Sequence, residues 1–117
     1  MSLPDISHPA IIVSLCGGGR PGWQQLLLGM EEEGIPYALH DAGDDATPLA
    51  LLAHQASNAS PLAVGVAVGA QDIAVHDPHL PADRPLFVLR DYTRLPAQEI
   101  RRLGCNAARL VKGLPFK

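Results

Sequence analysis

Three short stretches of this 117-residue chain bring together residue types that can do chemistry. The first is Gly17-x-Gly19-x-x-Gly22, lying between a β-branched run and an amphipathic stretch. In that setting, glycines allow a turn to approach a pyrophosphate, which backbone amides and a helix N-terminus then hold. Against this, Pro21 removes one amide donor, the helix starts late, and the acid after the second strand is Asp41, preceded by His40 in a loosely matched position. A flexible turn is the expected reading. A small nucleotide-binding enzyme using Gly17, Gly19 and Gly22 is the alternative. The second stretch, His76-Asp77-Pro78-His79, combines two imidazoles and a carboxylate. Pro78 prevents a helical pair of ligands and no third ligand follows from spacing, so a polar turn is expected. His8, His40 and His54 stand in no recognisable nucleophile arrangement, and neither Ser14 nor Ser60 lies on a strand-turn-helix elbow. No catalytic machinery is legible, and a chain without its own catalysis is expected.

The third stretch is Glu31-Glu32-Glu33. It falls in the last turn of an expected helix, where carboxylates face the negative end of the macrodipole and cost stability, so something should offset them. On a projection at about 100° per residue, Glu33 flanks the apolar stripe, whereas Glu32 points away from it beside Leu28 and Gln25. A solvated acidic helix end is the plain reading. The functional one is a partner surface on Gln25, Leu28 and Glu32, with Glu32 meeting a basic side chain or a metal ion held by a neighbouring subunit.

The elements that must position these residues follow from periodicity. Ala10 to Leu15 reads as a buried strand, and Trp23 to Glu33 as a helix burying Trp23, Leu26, Leu27 and Met30 and stopped by Gly34-Ile35-Pro36. Pro36 to Leu39 reads as a second strand. Asp44, Asp45 and Thr47 offer caps before Pro48 at the first position of a second helix, whose buried stripe is Leu49, Leu52, Ala53 and Ala56. Leu62 to Val68 has the apolar run of a central strand, and Ile73 to Val75 can pair with it antiparallel through Gly69-Ala70-Gln71-Asp72. Leu86 to Leu89 is a further strand. Pro96 to Lys112 forms a last helix burying Ile100, Leu103, Ala107, Leu110 and Val111, with Arg102, Arg109 and Lys112 on the opposite side near Cys105 and Asn106. The order βαβαβββα predicts an α/β fold: a three-layer α/β/α sandwich, with a mostly parallel sheet of about five strands and one reversed strand near its edge.

Composition narrows the partners. The length suits a single domain over residues 1–117, and 47% apolar with 18% charged residues is ordinary for a folded chain. A net charge of −3 without a dense basic run gives no footprint for nucleic acid or an anionic membrane. No apolar run approaches the roughly 18 residues of a membrane span, and the first residues lack a basic signal-peptide start, so a cytoplasmic location is expected. In that compartment a disulfide between Cys16 and Cys105 is not expected. Five scattered aromatics make no stacking platform.

Four segments carry a resemblance. Leu27-Leu28-Gly29-Met30-Glu31-Glu32-Glu33-Gly34-Ile35-Pro36, Ser60-Pro61-Leu62-Ala63-Val64-Gly65-Val66, Leu80-Pro81-Ala82-Asp83-Arg84-Pro85-Leu86, and the stretch from Gly104 to Phe116 resemble the small subunit of the reactivating factors for adenosylcobalamin-dependent diol and glycerol dehydratases. The match spans nearly the whole chain. It is most specific in the Glu-Glu-x-Gly-Ile-Pro helix end and in Asn-Ala-Ala-Arg-Leu-Val-Lys-Gly, and weaker in the glycine turn and from His40 to Asn58.

The resemblance implies a fold like the dehydratase's own medium subunit, related to anticodon-binding domains. It implies a large partner subunit built like an actin- or Hsp70-type ATPase, which alone binds ATP or ADP, in an α2β2 assembly. The complex would release damaged cobalamin from inactivated dehydratase, the client, by a nucleotide-governed subunit exchange. The second acid of the helix-end motif, here Glu32, would be a ligand to Mg²⁺ at the contact with the large subunit. Glu31 and Glu33 would supply supporting charge. Whether the client is a diol or a glycerol dehydratase, and whether the work takes place in a bacterial microcompartment, stays open. A dehydratase medium subunit is a further reading, against which the shortness of the chain is set.

Overall fold

A computed structural model describes residues 8–44 and 46–117 of the chain. Its elements run β1 (Ile11–Cys16), α1 (Gln25–Glu32), β2 (Tyr37–Gly43), α2 (Leu49–Ala59), β3 (Gly65–Val68), β4 (Ile73–His76), β5 (Phe87–Leu89) and α3 (Ala97–Lys112), with a short 3-10 turn at Tyr92–Arg94. The five strands form one sheet in the order β2-β1-β3-β4-β5. β1 lies parallel to β2 and to β3, while β4 runs antiparallel to both its neighbours. This is the expected α/β sandwich, with β4 as the reversed strand one place from the edge.

Strand alternation sorts the core into two layers. Ile11, Val13, Val66, Val68, Ile73 and Val75 face α1 and α3, where Leu26, Met30, Ile100 and Leu103 complete the larger core. The other face carries Ala67 and Ala74 under Leu52 and Ala53 of α2. Small residues on that face let α2 sit close: a Cβ on Gly65 would lie 2.1 Å from the Ser57 amide nitrogen.

Element boundaries differ from the periodicity reading where polar or special backbone positions intervene. β2 continues through His40 and Asp41 to Gly43, because an edge strand needs no unbroken apolar run. β3 begins only at Gly65, since Ala63 has a φ of 58° and cannot belong to a strand. Pro48 is the residue before α2 rather than its first helical residue, and no side-chain cap is made there. Asp44 and Thr47 therefore do not occupy the capping position, and Asp45 lies outside the described residues. Trp23 sits in the turn ahead of α1 and is buried.

α1 and α3 share one face of the sheet and cross with their backbones in contact. A Cβ on Gly29 would stand 2.1 Å from the Arg101 carbonyl oxygen, and one on Gly104 would stand 1.9 Å from that of Leu26. α3 thus buries two sides, Ile100, Leu103 and Ala107 toward the sheet core and Gly104, Cys105 and Ala108 as well. This corrects the expectation that Arg109, Cys105 and Asn106 lie on a solvated face, whereas Lys112 is exposed as expected. Cys105 and Asn106 are buried, and Arg109 and Lys112 reach the end of α1. Arg102 also stays outward, paired with Glu99 at 2.8 Å.

The crossing supplies the offset that the acidic helix end requires. Glu33 Oε2 accepts from Arg109 Nε at 3.2 Å and Oε1 from Lys112 Nζ at 2.8 Å, with the Glu33 side chain only 10% exposed. Lys112 Nζ also donates to the Glu33 carbonyl at 2.9 Å. Gly34, at a φ of 74°, closes a Schellman turn in which Ile35 N–H reaches the Met30 carbonyl and Gly34 N–H that of Glu31.

Two expectations follow. Gly104→Ala should lower stability by about 3 kcal/mol, the upper part of the overpacking range, seen as a fall of about 10 °C in thermal unfolding; an unchanged midpoint would mean that the helices can part freely. The Lys112 hydrogen bond, opposed by desolvation and helped by Arg109, holds the Glu33 carboxyl below its ordinary 4.5. A lowered folded-state pKa gives stability that is present above the unfolded value and lost as pH falls through the folded one. Glu33→Gln should therefore melt below the wild type at neutral pH, with the gap closing as pH drops below 4.5; a gap undiminished at about pH 3 would attribute the effect to packing.

Candidate functional site

The outer stripe of α1 that carries Gln25, Leu28 and Glu32 runs beside α3. Leu28 is 40% exposed, an uncovered apolar side chain between two polar ones. Gln25 and Glu32 turn toward the neighbouring helix, which the projection of a single helix does not reveal. Gln25 Oε1 accepts from Arg101 Nη2 at 2.8 Å and from Nε at 3.3 Å. Arg101 Nη1 stands 3.5 Å from Glu32 Oε1, with the two side chains 40% and 46% exposed. Cys105 Sγ donates to Glu32 Oε2 at 3.5 Å. Burial first, and then the carboxylate of Glu32, push the Cys105 thiol above its ordinary range, so it remains protonated at neutral pH. Glu32 thus presents a half-exposed carboxylate whose two oxygens have only long contacts. A shallow depression joins it to Arg101, Cys105 and Lys117. Glu31 is directed elsewhere and accepts from Tyr37 Oη at 3.0 Å.

The Asn-Ala-Ala-Arg segment acts on the residues that follow it. Asn106 Oδ1 accepts from Lys117 N–H at 2.7 Å, and Arg109 Nη1 donates to the Pro115 carbonyl at 3.0 Å. These bonds fold residues 114–117 back along α3, where the Phe116 ring meets Phe87 edge-on at 5.0 Å between centroids. Periodicity gives no sign of this clamp, because it depends on a chain reversal after Gly113, whose φ is 70°.

The glycine turn lies at the C-terminal end of β1, between strands that lead in opposite directions across the sheet, where open α/β sheets take ligands. Three of its amides, however, already have partners within the chain. Gly17 N–H donates to the Gly43 carbonyl at 2.7 Å and Gly19 N–H to that of Cys16 at 3.4 Å. Arg20 N–H donates to Tyr92 Oη at 2.8 Å, and that hydroxyl donates to the Gly69 carbonyl at 2.6 Å. The first amides of α1, from Gln25 to Leu27, bond to the carbonyls of Gly22, Trp23 and Gln24. A pyrophosphate would have to displace the bonds of the Gly17, Gly19 and Arg20 amides, which favours the turn reading. Gly19 also makes room for Trp23, whose ring would lie 2.7 Å from an added Cβ.

The histidine stretch separates into two surroundings. His76 is fully buried, accepts from Asp77 N–H at 2.9 Å through Nδ1 and reaches the Ala82 carbonyl at 3.2 Å through Nε2. His79 is exposed and pairs with Asp77 Oδ1 at 2.8 Å. Among the described residues, no group of three or more His, Cys, Asp or Glu side chains is placed to hold a metal ion by itself.

Comparison with known proteins places this arrangement in a family. The family model described as dehydratase medium subunit matches residues 8–117. The propanediol dehydratase-reactivating factor small subunit of Salmonella typhimurium is 45% identical over 113 residues, covering 95% of this chain and 92% of that protein. The diol dehydratase-reactivating factor small subunit of Klebsiella michiganensis is 44% identical, covering 95% of this chain and 86% of its own length. In three dimensions, a chain in the structure of diol dehydratase-reactivating factor complexed with ADP and Mg²⁺ superposes with a TM-score of 0.86 at 43% identity, over 95% of this chain and 99% of that one. A glycerol dehydratase reactivase chain superposes with a TM-score of 0.85 at 32% identity, over 94% and 97%. With nearly full coverage in both directions and the fold in common, the chain belongs to the dehydratase medium subunit family and, within it, to the small subunits of diol and glycerol dehydratase-reactivating factors.

Proposed function

We propose that this chain is the non-catalytic small subunit of an ATP-dependent, chaperone-like reactivating factor, which frees inactivated diol or glycerol dehydratase of damaged cobalamin by exchanging subunits with it. The observation that carries the reading is the family itself: reactivating-factor small subunits and dehydratase medium subunits share one family model, which spans residues 8–117 here. Two chains of one fold can compete for one partner surface. The large subunit, an actin- or Hsp70-like ATPase, holds the nucleotide, in agreement with a glycine turn here whose amides bond within the chain. The assembly is α2β2 and works in the cytoplasm, with a microcompartment as one setting for it.

The contact with the large subunit runs over Gln25, Leu28 and Glu32, with Glu32 lending one oxygen to a shared Mg²⁺. The residue fits such a role. Its side chain is 46% exposed and its ion pair with Arg101 is long, at 3.5 Å, so a hard oxygen lone pair remains open to a cation. Mg²⁺ keeps several waters and takes only one or two carboxylates. A single ligand from this chain is therefore sufficient when a partner supplies the rest. When bound, the ion would tie Glu32 to ligands of the partner; Leu28 supplies apolar contact beside it, and Gln25 holds Arg101.

Copurification from the native host tests the assembly, with a large actin-like ATPase expected to accompany the tagged chain; recovery of the chain alone with its own nucleotide would refute it. Glu32→Gln should keep the fold and weaken assembly with that subunit about tenfold or more in magnesium, read by calorimetry with and without the ion. Equal affinity of the variant and the wild type in both conditions would remove the metal from the contact.

A further inference from the structure

Arg101 is held in place from two directions. Its backbone is pinned against α1, because its carbonyl oxygen would meet an added Cβ on Gly29 at 2.1 Å. Its guanidinium is forked on Gln25 Oε1 through Nη2 and Nε at 2.8 and 3.3 Å, which leaves Nη1 facing Glu32 at 3.5 Å. A long pair with both members half-exposed is weak and readily exchanged. The cation in it is nevertheless held independently of Glu32, by the two hydrogen bonds to Gln25.

We propose that Arg101 is a positioning residue that acts as a built-in competitor cation: it neutralises Glu32 in the free subunit and raises the magnesium concentration at which the partner contact forms. This rests on the metal contact proposed for Glu32. A fixed positive charge a few Å from a ligand oxygen repels a second cation there. Ending the contact returns the carboxylate to a guanidinium already in place, so release leaves no bare charge on the surface. Arg102 is a poor substitute, being engaged with Glu99 at 2.8 Å.

The test is a magnesium titration of labelled small subunit with the large subunit and ADP, followed by fluorescence anisotropy. Arg101→Gln should move the magnesium midpoint about three- to tenfold lower, as expected for removing a screened like charge at this separation. Arg101→Lys, which keeps the charge but loses the fork on Gln25, should fall between Arg101→Gln and the wild type. A midpoint for Arg101→Gln that is unchanged or raised overturns the proposal, as does weaker assembly of that variant in saturating magnesium, which would assign Arg101 to an acidic group of the partner. Glu32→Gln in the same titration separates the two failures: if its magnesium dependence equals the wild type's, the metal reading itself falls; if it differs while Arg101→Gln changes nothing, only the role of Arg101 is lost.

Discussion

The backbone contact of α1 with α3 at Gly29 and Gly104 governs what the surface of this protein can offer. With hydrogen in place of Cβ at both positions, the helices close until main-chain atoms touch, and the flanking side chains are brought within polar reach. Gln25 and Glu32 meet Arg101, Glu32 meets Cys105, and Glu33 meets Arg109 and Lys112. A wider crossing would leave three carboxylates at the negative end of a helix with water as their main company. As it stands, each acid of the run has a partner from a different part of the chain: Tyr37 for Glu31, Arg101 for Glu32, and the last turns of α3 for Glu33.

Much of the architecture was legible because strands and helices bury residues at different periods. Alternation in Val64 to Val68 and Ile73 to Val75 separates the large core from the small one, and the turn between them fixes the antiparallel step. The placement of side chains around a helix was less legible. A projection finds one apolar stripe, but α3 is covered on two sides, and its second side is made of Gly104, Cys105 and Ala108, small residues with little hydropathy to register. Arg109 and Lys112 therefore read as unpartnered solvent-facing cations, although both reach Glu33 at the end of α1. Local chemistry also set the ends of elements: Ala63 in the left-handed region delays β3, and polar residues conceal the length of β2. Glu32, Leu28 and Gln25 share a stripe as the spacing requires, whereas Arg101, which gives that stripe its electrostatics, was recognisable only from the crossing.

The glycine turn illustrates how position and chemistry can part. It stands where a doubly wound sheet would accept a ligand, and its glycines adopt the positive φ values that a phosphate cradle would use. What favours the turn reading is the destination of three of its amides. Gly43, Cys16 and Tyr92 accept those of Gly17, Gly19 and Arg20, and the first turn of α1 closes on carbonyls just ahead of it. Tyr92, fully buried and arriving from the 3-10 turn after β5, receives one amide and reaches the Gly69 carbonyl, tying the glycine turn to the β3-β4 connection. A G-x-G-x-x-G pattern in one dimension cannot contain that information, because the residues that consume the donors are distant in sequence.

Within the acidic run, neighbours of like type hold unlike energetic positions. Glu33 is nearly covered, bonds two cations and carries a carboxyl pushed below its ordinary range, so removing its partners would strand a charge at the seam of two helices. Glu31 spends one oxygen on Tyr37, whose phenol that bond pushes upward. Glu32 is the exception, half-exposed with contacts at the long end of the polar range. A contact that has to form and dissolve repeatedly needs groups whose resting interactions are cheap to give up and quick to recover, and a screened pair with a fixed guanidinium meets both conditions. A buried two-cation clamp meets neither. The three carboxylates therefore divide into one that secures the helix crossing, one that bonds Tyr37 and one left half-exposed, with exposure rather than residue type drawing the line.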